Sequence, residues 1–576
     1  MTSIKFSNFK GIAPKYNEEQ LADGYSVTST NTRVGRGILE PFRSPSDLIG
    51  GDLLGNTGIK SLFKYNAGWM AWTAKGVKAV KAPLKNDPYD QVVMTGYGSY
   101  PQITSNTDGS TSGSSPIAHR LGVPAPTKIT MGGGYVREVE VDEGDPQPSD
   151  DEFDIYYTSY IVVYVDAWGR VGPASVPSSE TEIKEHDGLN LVIRTVILPL
   201  PPSRLLKTDS NRGTSAFYRV YRANYAANGS GVYQFLTDVP IGDSSFIDSV
   251  SSDSLGEAIA TADWVGPPDD DASLYPNGAL QNIVSVAGSF LAGHTQRAIC
   301  FSEPDAMHAW PVSYYQVVPE NIVVTVPMGS ALVALTDNFP YVFNGVHPES
   351  MSPTRLADPI PCSAAAAAVE LNDSVYFANE FGLFRLQGYS AQNVSKSFMT
   401  EKEWRALEPN SMSFSTYDGR LVIASEEAGL CYMFDPANPA DGLRVLDIDP
   451  QAIVQLETTN DLAYVERYSS KIVSFDTGSS YTSMSWKSKV YTFNSPVLFS
   501  VGKVEANTYP INVTFVRESL NGVEEKYTKT VQSPDFFYLP FTSHGKRWWT
   551  EVSSFGGTSR PEIRTIQIAQ SPEELS

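Results

Sequence analysis

The chain has 576 residues, of which 41% are hydrophobic and 11% are aromatic, so it is long enough to hold several domains with packed cores. Its formal net charge is −22, with 65 acidic residues against 43 lysines and arginines. Nucleic-acid phosphates repel an acidic chain that has no cluster of lysines and arginines. This composition excludes a protein that binds nucleic acid through a basic surface.

The composition also predicts the fold class. The sequence contains 30 tyrosines and 26 phenylalanines, and aromatic residues favour strands over helices. The 44 glycines and 39 prolines supply the turns that join many short strands. We therefore expect an all-β protein.

The first 50 residues show little helical or strand periodicity. Gly11, Gly24 and Gly37 suit turns that need a positive φ, and Pro41 and Pro45 suit an edge strand or its exit. We expect a loop-rich strap across the first structural repeat. The N-terminus has no apolar stretch of the secretory type, which predicts synthesis in a cytoplasm without export.

A repeat organises most of the chain, and its clearest copy is residues 372–386. An Asn-Asp turn leads into the apolar strand 375–378, and Gly382 opens a second strand after a polar turn. Further copies, with strand, turn and strand in the same order, lie at 59–83, 283–304, 330–345, 412–436 and 453–476. A meander of this size cannot bury both of its faces, so it needs copies of itself as neighbours.

The spacing of the copies indicates the architecture. The middle strands begin at 290, 332, 375, 421 and 462, which gives steps of 42, 43, 46 and 41 residues. That step is the length of one four-stranded propeller blade. We predict an interrupted β-propeller of about six blades, and the alternative is a general all-β protein with hairpins at ordinary spacing.

An inserted domain interrupts the ring. Its predicted strands lie at 155–165, 189–198, 217–223, 232–237 and 245–248. This pattern is typical of an immunoglobulin-like or fibronectin-like β-sandwich. Within it, residues 138–154 hold nine acidic residues and no basic one. A calcium site is conceivable there, but a solvated charged loop is the favoured interpretation.

Five segments follow from these patterns. They are an N-terminal strap (1–50), a first propeller blade (51–120), an inserted β-sandwich (121–263), the remaining blades (264–480) and a C-terminal β-domain (481–576).

A closed ring needs its first and last blades side by side, because an open ring exposes strand edges. We therefore expect the strand 69–72 to pack in the same ring as 290–293 and 462–465. The chain should then leave and re-enter the ring through adjacent proline-rich linkers, 120–126 and 264–268.

Recognised catalytic motifs do not occur in the sequence. It has no Gly-rich phosphate loop ending in Lys-Ser/Thr, no His-Glu-x-x-His, no Cys-x-x-Cys and no Gly-x-Ser-x-Gly. Cys300, Cys362 and Cys431 have the pattern of small buried hydrophobic residues, and the six histidines are scattered. We expect no enzyme, no cofactor and no metal, although a propeller glycosidase needs only two carboxylates and stays an alternative.

The two ends of the chain carry a resemblance. Near the N-terminus stand an aromatic-x-Gly-Ile stretch, a Leu-x-Asp-Gly and a Gly-x-Leu-x-x-x-Arg-x-Pro. Near the C-terminus stand a Trp-Lys-Ser-Lys, a Leu-Pro and an ending Gln-Ser-Pro-Glu-Glu-Leu. The residues concerned are Phe9, Gly11, Ile12, Asp23, Gly24, Gly37, Arg43, Pro45, Trp486, Lys489, Leu539, Pro540 and Leu575. In these features the sequence resembles the tail nozzle family (tail tubular protein B) of short-tailed phages, or podoviruses, and it is shorter than the long members.

The resemblance implies a structural virion protein, a subunit of the ring that forms the distal DNA-ejection channel. It implies a homo-oligomer of six copies, bound to the tail adaptor or tube protein and to tail fibres. DNA passes through such a channel without sequence-specific binding. The longest apolar strand run, Tyr160–Val165, is far too short to span a bilayer, so we expect no membrane-spanning segment. The alternatives are a propeller-based glycosidase or depolymerase and a host-surface binding module that uses the inserted domain.

Overall fold

The computed structural model describes residues 3–35, 37–48, 58–66, 68–106, 117–136, 149, 152–186, 189–190, 192–225, 231–456, 458–554 and 556–575. Strands and turns dominate this part of the chain, as the composition predicts. Its single α-helix spans Glu401–Arg405 and begins with the capping box of Thr400 and Glu403 that the sequence indicates. Short 3₁₀ turns occupy Ser252–Ser254, Val312–Tyr314, Pro348–Ser350, Ala365–Ala367, Ser395–Ser397, Pro409–Ser411, Pro439–Asp441 and Pro572–Glu574.

Among the described residues, the ring contains six four-stranded antiparallel blades, and we number them along the chain. The strands of blade 1 are Lys78–Lys81, Val92–Thr95, Gln102–Thr104 and His119–Arg120; of blade 2, Gln281–Val286, Phe290–His294, Ala298–Phe301 and Gln316–Val317; of blade 3, Ile322–Met328, Ala331–Thr336, Tyr341–Asn344 and Ser352–Arg355. Those of blade 4 are Ala368–Glu370, Val375–Asn379, Gly382–Gln387 and Ser390–Asn393; of blade 5, Met412–Tyr417, Arg420–Ser425, Leu430–Phe434 and Leu443–Leu446; of blade 6, Pro450–Gln455, Leu462–Glu466, Ile472–Ser474 and Ser46–Asp47.

The blades follow one another around a closed ring. The first strand of each blade from 2 to 6 contacts the first strand of the blade before it, and a separate hydrophobic cluster fills each space between blades. The five middle strands expected from the repeat are the second strands of blades 2 to 6. The all-β fold and the interrupted propeller are therefore confirmed.

The described residues of the stretch expected to form one first blade, 51–120, form two sheets. A hairpin of Ser61–Tyr65 and Gly68–Trp72 precedes the whole of blade 1. Trp69 packs with Val465 of blade 6 on one side of the hairpin, while Trp72 packs with Met94 of blade 1 on the other. The hairpin thus lies between the last and first blades, and the strand 69–72 belongs to the ring as expected.

The N-terminal chain completes blade 6. Ser46–Asp47 pairs with Ile472–Ser474 as the outer strand of that blade. The outer strand of blade 6 therefore comes from the opposite end of the chain from its other three strands, so this pairing joins the N-terminal chain to the last blade. The closure also removes an exposed strand edge.

The insert is a β-sandwich with its own core. One sheet contains Thr130–Val136, Val192–Ile197 and Ser245–Asp248; the other contains Asp154–Val165, Thr181–His186, Leu189–Asn190, Phe217–Tyr225 and Gln234–Pro240, and a small hairpin joins Thr208–Asp209 to Thr214–Ser215. Tyr160, Val196 and Tyr218 lie in the core between the two sheets. The immunoglobulin-like or fibronectin-like prediction is confirmed at the level of a β-sandwich at this position. Most of the acidic loop 138–154 lies outside the described residues.

Both chain ends build the last domain, which is a second sandwich. One sheet contains Ser3–Phe6, Thr32–Gly35, Ile38–Pro41, Val501–Ala506, Phe537–Tyr538 and Ile563–Ala569; the other contains Ser26–Thr30, Met484–Ser488, Tyr491–Val497, Ile511–Ser519, Glu524–Val531 and Gly545–Ser554. Instead of forming a strap across the first blade, the described residues of 3–41 supply four of these strands. Thr30 also pairs with Val445, so the second sheet continues into blade 5.

Candidate functional site

The motif residues from Phe9 to Gly37 meet Trp486 and Lys489 at the junction of the terminal domain with the propeller. We call this contact the terminal clasp. Phe9 meets the indole of Trp486 edge-on, with 5.0 Å between ring centroids, and Phe6 contacts the same indole. Trp486 is 2% exposed, and its Nε1 donates to the carbonyl of Lys10 at 3.3 Å. Such aromatic pairs add to the free energy of burial, so this contact anchors the clasp.

The backbone of the next residues joins the clasp to blade 5. The amide of Gly11 donates to the Asp441 carbonyl, and the amide of Ile12 donates to the Leu443 carbonyl, each at 2.7 Å. A Cβ on Gly11 would lie 2.0 Å from the Leu443 oxygen. Only glycine permits this approach, which accounts for its place in the motif.

Two further glycines enclose Asn8. Gly24, with φ +89°, lies so close that a Cβ would be 2.5 Å from the Asn8 carbonyl oxygen, and Gly37, with φ +75°, lies against the Asn8 Cα. Beside them, Lys489 pairs with Asp23 at 2.9 Å, but the Asp23 side chain is 83% exposed. An ion pair so exposed to solvent contributes little to stability.

The other motif residues are dispersed. Arg43 lies over the Tyr481 ring near blade 6, with 5.6 Å between the guanidinium carbon and the ring centroid. Leu539 is buried in the terminal core, Leu575 is half-buried, and Pro45 and Pro540 are exposed. The structure therefore gathers the residues from Phe9 to Gly37 with Trp486 and Lys489, and leaves the rest elsewhere.

Asp476 has a structural role that the sequence analysis missed. Its carboxylate, 5% exposed, pairs with the Arg33 guanidinium and accepts hydrogen bonds from the Arg43 amide and the Tyr417 hydroxyl, each at 2.6 Å. It therefore joins the terminal domain, the chain that leads to the strand Ser46–Asp47, and blade 5. No sequence signal marks it, because its partners are distant along the chain.

Arg547 forms a second unpredicted centre. Its guanidinium pairs with Glu18 and Glu518 at 2.7 Å and with Glu19 at 3.0 Å, and these neighbours raise its pKa against the lowering effect of burial. Lys487 adds a pair with Glu18 at 3.4 Å. These contacts bind the segment near residue 18 to the C-terminal strands.

The insert leaves and re-enters the ring through adjacent linkers, as expected. A Cβ on Gly122 would lie 2.8 Å from the Pro267 ring. Arg120 pairs with Asp270 at 2.7 Å and with Asp269 at 3.3 Å. A cavity of about 140 Å³ lies between these linkers. The two linkers thus form one narrow neck.

Buried polar contacts seat the base of the insert on blades 1 and 2. Arg170 pairs with Asp166 at 2.7 Å and donates to the Leu121 carbonyl at 2.7 Å, while a ring nitrogen of His308 lies 2.9 Å from the Val171 carbonyl. Burial and the Arg170 guanidinium lower the pKa of His308 to about 4. The insert has its own core, but it does not protrude freely.

The buried cysteine, histidine and carboxyl groups of the propeller lie in positions typical of structural residues. All three cysteines are buried free thiols, and burial raises the pKa of each. His294 is buried, and burial lowers its pKa. Burial raises the pKa of the carboxyl groups of Asp441 and Glu466, the latter also under the influence of nearby carboxylates. Among the described residues, no group of three histidine, cysteine or acidic side chains could hold a metal ion.

Comparisons with known proteins are distant. No protein-family model matches the sequence, and no curated protein matches it. Solved structures with similarity include virginiamycin B lyase from Staphylococcus aureus, with 12% identity, a TM-score of 0.27, and coverage of 56% of this chain and 99% of the lyase. Hsv2 from Kluyvelomyces marxianus has 10% identity and a TM-score of 0.23, with coverage of 52% and 90%. At this similarity the propeller assignment rests on the strand order of the chain itself. Within the described ranges, no helix is long and apolar enough to cross a membrane.

Proposed function

We propose that the chain is a structural virion protein, a subunit of the tail nozzle ring that forms the distal DNA-ejection channel of a short-tailed phage. The observation that carries the proposal is the terminal clasp. The residues that resemble the nozzle family come from opposite chain ends, and Phe9, Gly11 and Ile12 contact Trp486 and blade 5. A motif whose members form packing contacts points to a structural role.

Charge supports the same role. A net charge of −22 gives the subunit a surface that repels phosphate, so DNA passes without adhering. We propose six copies in the ring, bound to the tail adaptor or tube protein and to tail fibres. The subunit is synthesised in the host cytoplasm and resides in the virion tail.

Electron microscopy of labelled virions tests the assignment. Virions of the phage that carries this sequence are incubated with gold-labelled antibody against the purified chain and imaged in negative stain. Antibody against the capsid protein serves as the control for positional accuracy. We expect gold at the tail tip, and gold on the head or along fibres alone would contradict the proposal.

We further propose that the chain has no catalytic activity of its own. The purified protein should release no reducing ends from host surface polysaccharide during prolonged incubation. Turnover by the protein, lost after substitution of a propeller carboxylate, would instead establish the glycosidase alternative.

A further inference from the structure

A groove of about 550 Å³ opens between blades 4 and 5. Small-molecule sites occupy roughly 300–1,000 Å³, so this groove is large enough for a ligand. Strand register places Tyr376, Arg385 and Gln392 side by side on the face of blade 4 that borders the groove. These positions run from a buried tyrosine to an exposed glutamine, so the groove widens toward solvent.

Two cations line the groove. Arg385 belongs to the third strand of blade 4, and Lys396 lies on the exposed 3₁₀ turn that follows the blade. Among the described residues, no carboxylate lies within 4 Å of either cation, although acidic residues outnumber basic ones in the chain. Asp435, beside the groove, accepts from the Ala437 amide and pairs with Arg420. The groove therefore holds positive charge that the protein itself leaves uncompensated.

The Arg385 guanidinium is held in place before any ligand arrives. Its Nε donates to the Ser374 hydroxyl at 3.2 Å and its Nη2 donates to the Gln387 side chain at 2.8 Å. Among the described residues Nη1 has no hydrogen-bond partner, so it can donate to a ligand. A pre-positioned donor gains affinity because little side-chain entropy is lost on binding.

The remaining lining indicates the class of ligand. Val394, Pro436 and Pro439 provide apolar surface, while Gln392 and Ser397 provide uncharged hydrogen-bonding groups. A carboxylate beside Arg385 and Lys396 forms charge-assisted hydrogen bonds, hydroxyls bond to amide and hydroxyl side chains, and C–H faces pack on the prolines. A sugar that carries a carboxylate has all three features. A nucleic acid is disfavoured by the overall charge of −22.

We infer that the groove between blades 4 and 5 is a binding site for a carboxylate-bearing saccharide. Arg385 and Lys396 bind the carboxylate, and Gln392 and Ser397 bind the hydroxyls. The inference stands independently of the nozzle proposal, because it rests on this groove alone.

Isothermal titration calorimetry on the full chain tests the inference, with a trimer of galacturonic acid as the probe and the neutral galactose trimer as its control. We expect the acidic trimer to bind and the neutral trimer to bind at least about tenfold more weakly. The loss of one charge-assisted hydrogen bond raises the dissociation constant by about that factor. Arg385→Gln and Lys396→Gln should each weaken binding about tenfold. Matched substitutions of exposed cations in the terminal domain, Lys546→Gln and Arg564→Gln, should leave it unchanged.

Four results would overturn the inference: no binding of the acidic trimer, equal binding of both trimers, full binding by both groove variants, or equal binding of an oligoglutamate peptide or inorganic phosphate. Lys396 is exposed, so Lys396→Gln keeps the test valid even where Arg385→Gln fails to fold.

Discussion

Asp476 should control the local stability of ring closure. The substitution Asp476→Asn keeps the shape and one acceptor oxygen but removes the charge that pairs with Arg33 and strengthens the bonds from Tyr417 and the Arg43 amide. A hydrogen bond to a charged group contributes about 1.5–3 kcal/mol, and the Arg33 side chain is 30% exposed, so solvent screens part of that attraction. We therefore expect Asp476→Asn to lower the free energy of local opening at this contact by about 2 kcal/mol.

Hydrogen exchange is the suitable assay because closure is local. The Leu48 amide donates to the Ile472 carbonyl and the Ser44 amide donates to the Ser480 carbonyl, so both amides report whether the outer strand of blade 6 is paired. A loss of about 2 kcal/mol should speed their exchange about 30-fold if they exchange through local opening. Asp358→Asn, at an exposed carboxylate, serves as the control.

A double-mutant cycle sharpens the test. Tyr417→Phe removes only the hydroxyl that donates to Asp476, and the two substitutions together should cost less than the sum of their separate costs, with a coupling of about 1 kcal/mol. Unchanged exchange at Ser44 and Leu48 in Asp476→Asn, or strict additivity in the cycle, would refute the reasoning.

Three further predictions concern the clasp, the neck and the buried histidine. Trp486→Ala should lower the free energy of unfolding of the terminal domain by about 3–5 kcal/mol, because Trp486 is buried. Lys489→Gln should change that free energy by less than about 1 kcal/mol, because its partner Asp23 is exposed. Equal effects of the two substitutions in thermal unfolding would contradict this contrast in burial. Gly122→Ala should make the neck more susceptible to limited proteolysis, because the added Cβ would clash with the Pro267 ring. Gly133→Ala, which has open space around the added Cβ, should not change the cleavage. Equal cleavage of the two variants would contradict the neck geometry. His308 has a pKa of 6.5 in the unfolded chain and about 4 in the folded protein, so it binds a proton more readily when the chain is unfolded. The free energy of unfolding should therefore fall by up to about 3 kcal/mol between pH 6.5 and pH 4. A His308→Gln variant whose stability has the same pH dependence would exclude His308 as the cause.

The propeller was predictable because its signal is local and repeated. Each second strand combines an apolar run with a turn that needs a positive φ, as at Asp418 (φ +47°) and Gly419 (φ +71°), and the period repeats in sequence. The sequence pattern does not separate the hairpin from blade 1, because both lie in one stretch with turns at ordinary spacing.

The joining of the two chain ends was not predictable from strand patterns. Ile4 pairs with Ile568, and the 563 residues between them carry no local pattern that indicates this pairing. The motif residues could be listed from resemblance, but their contacts, such as Phe9 with Trp486, required the structure. Asp476 and Arg547 were missed for the same reason, since a buried acid and its distant partners carry no periodicity.

A cryo-electron microscopy reconstruction of the virion tail tests the central proposal most directly. We predict copies of this chain in a ring around the axial channel at the distal end, with the propeller and terminal domain fitting the density as one unit joined at Phe9 and Trp486. Density for the chain in the head or adaptor, or in single copies away from the axis, would contradict it.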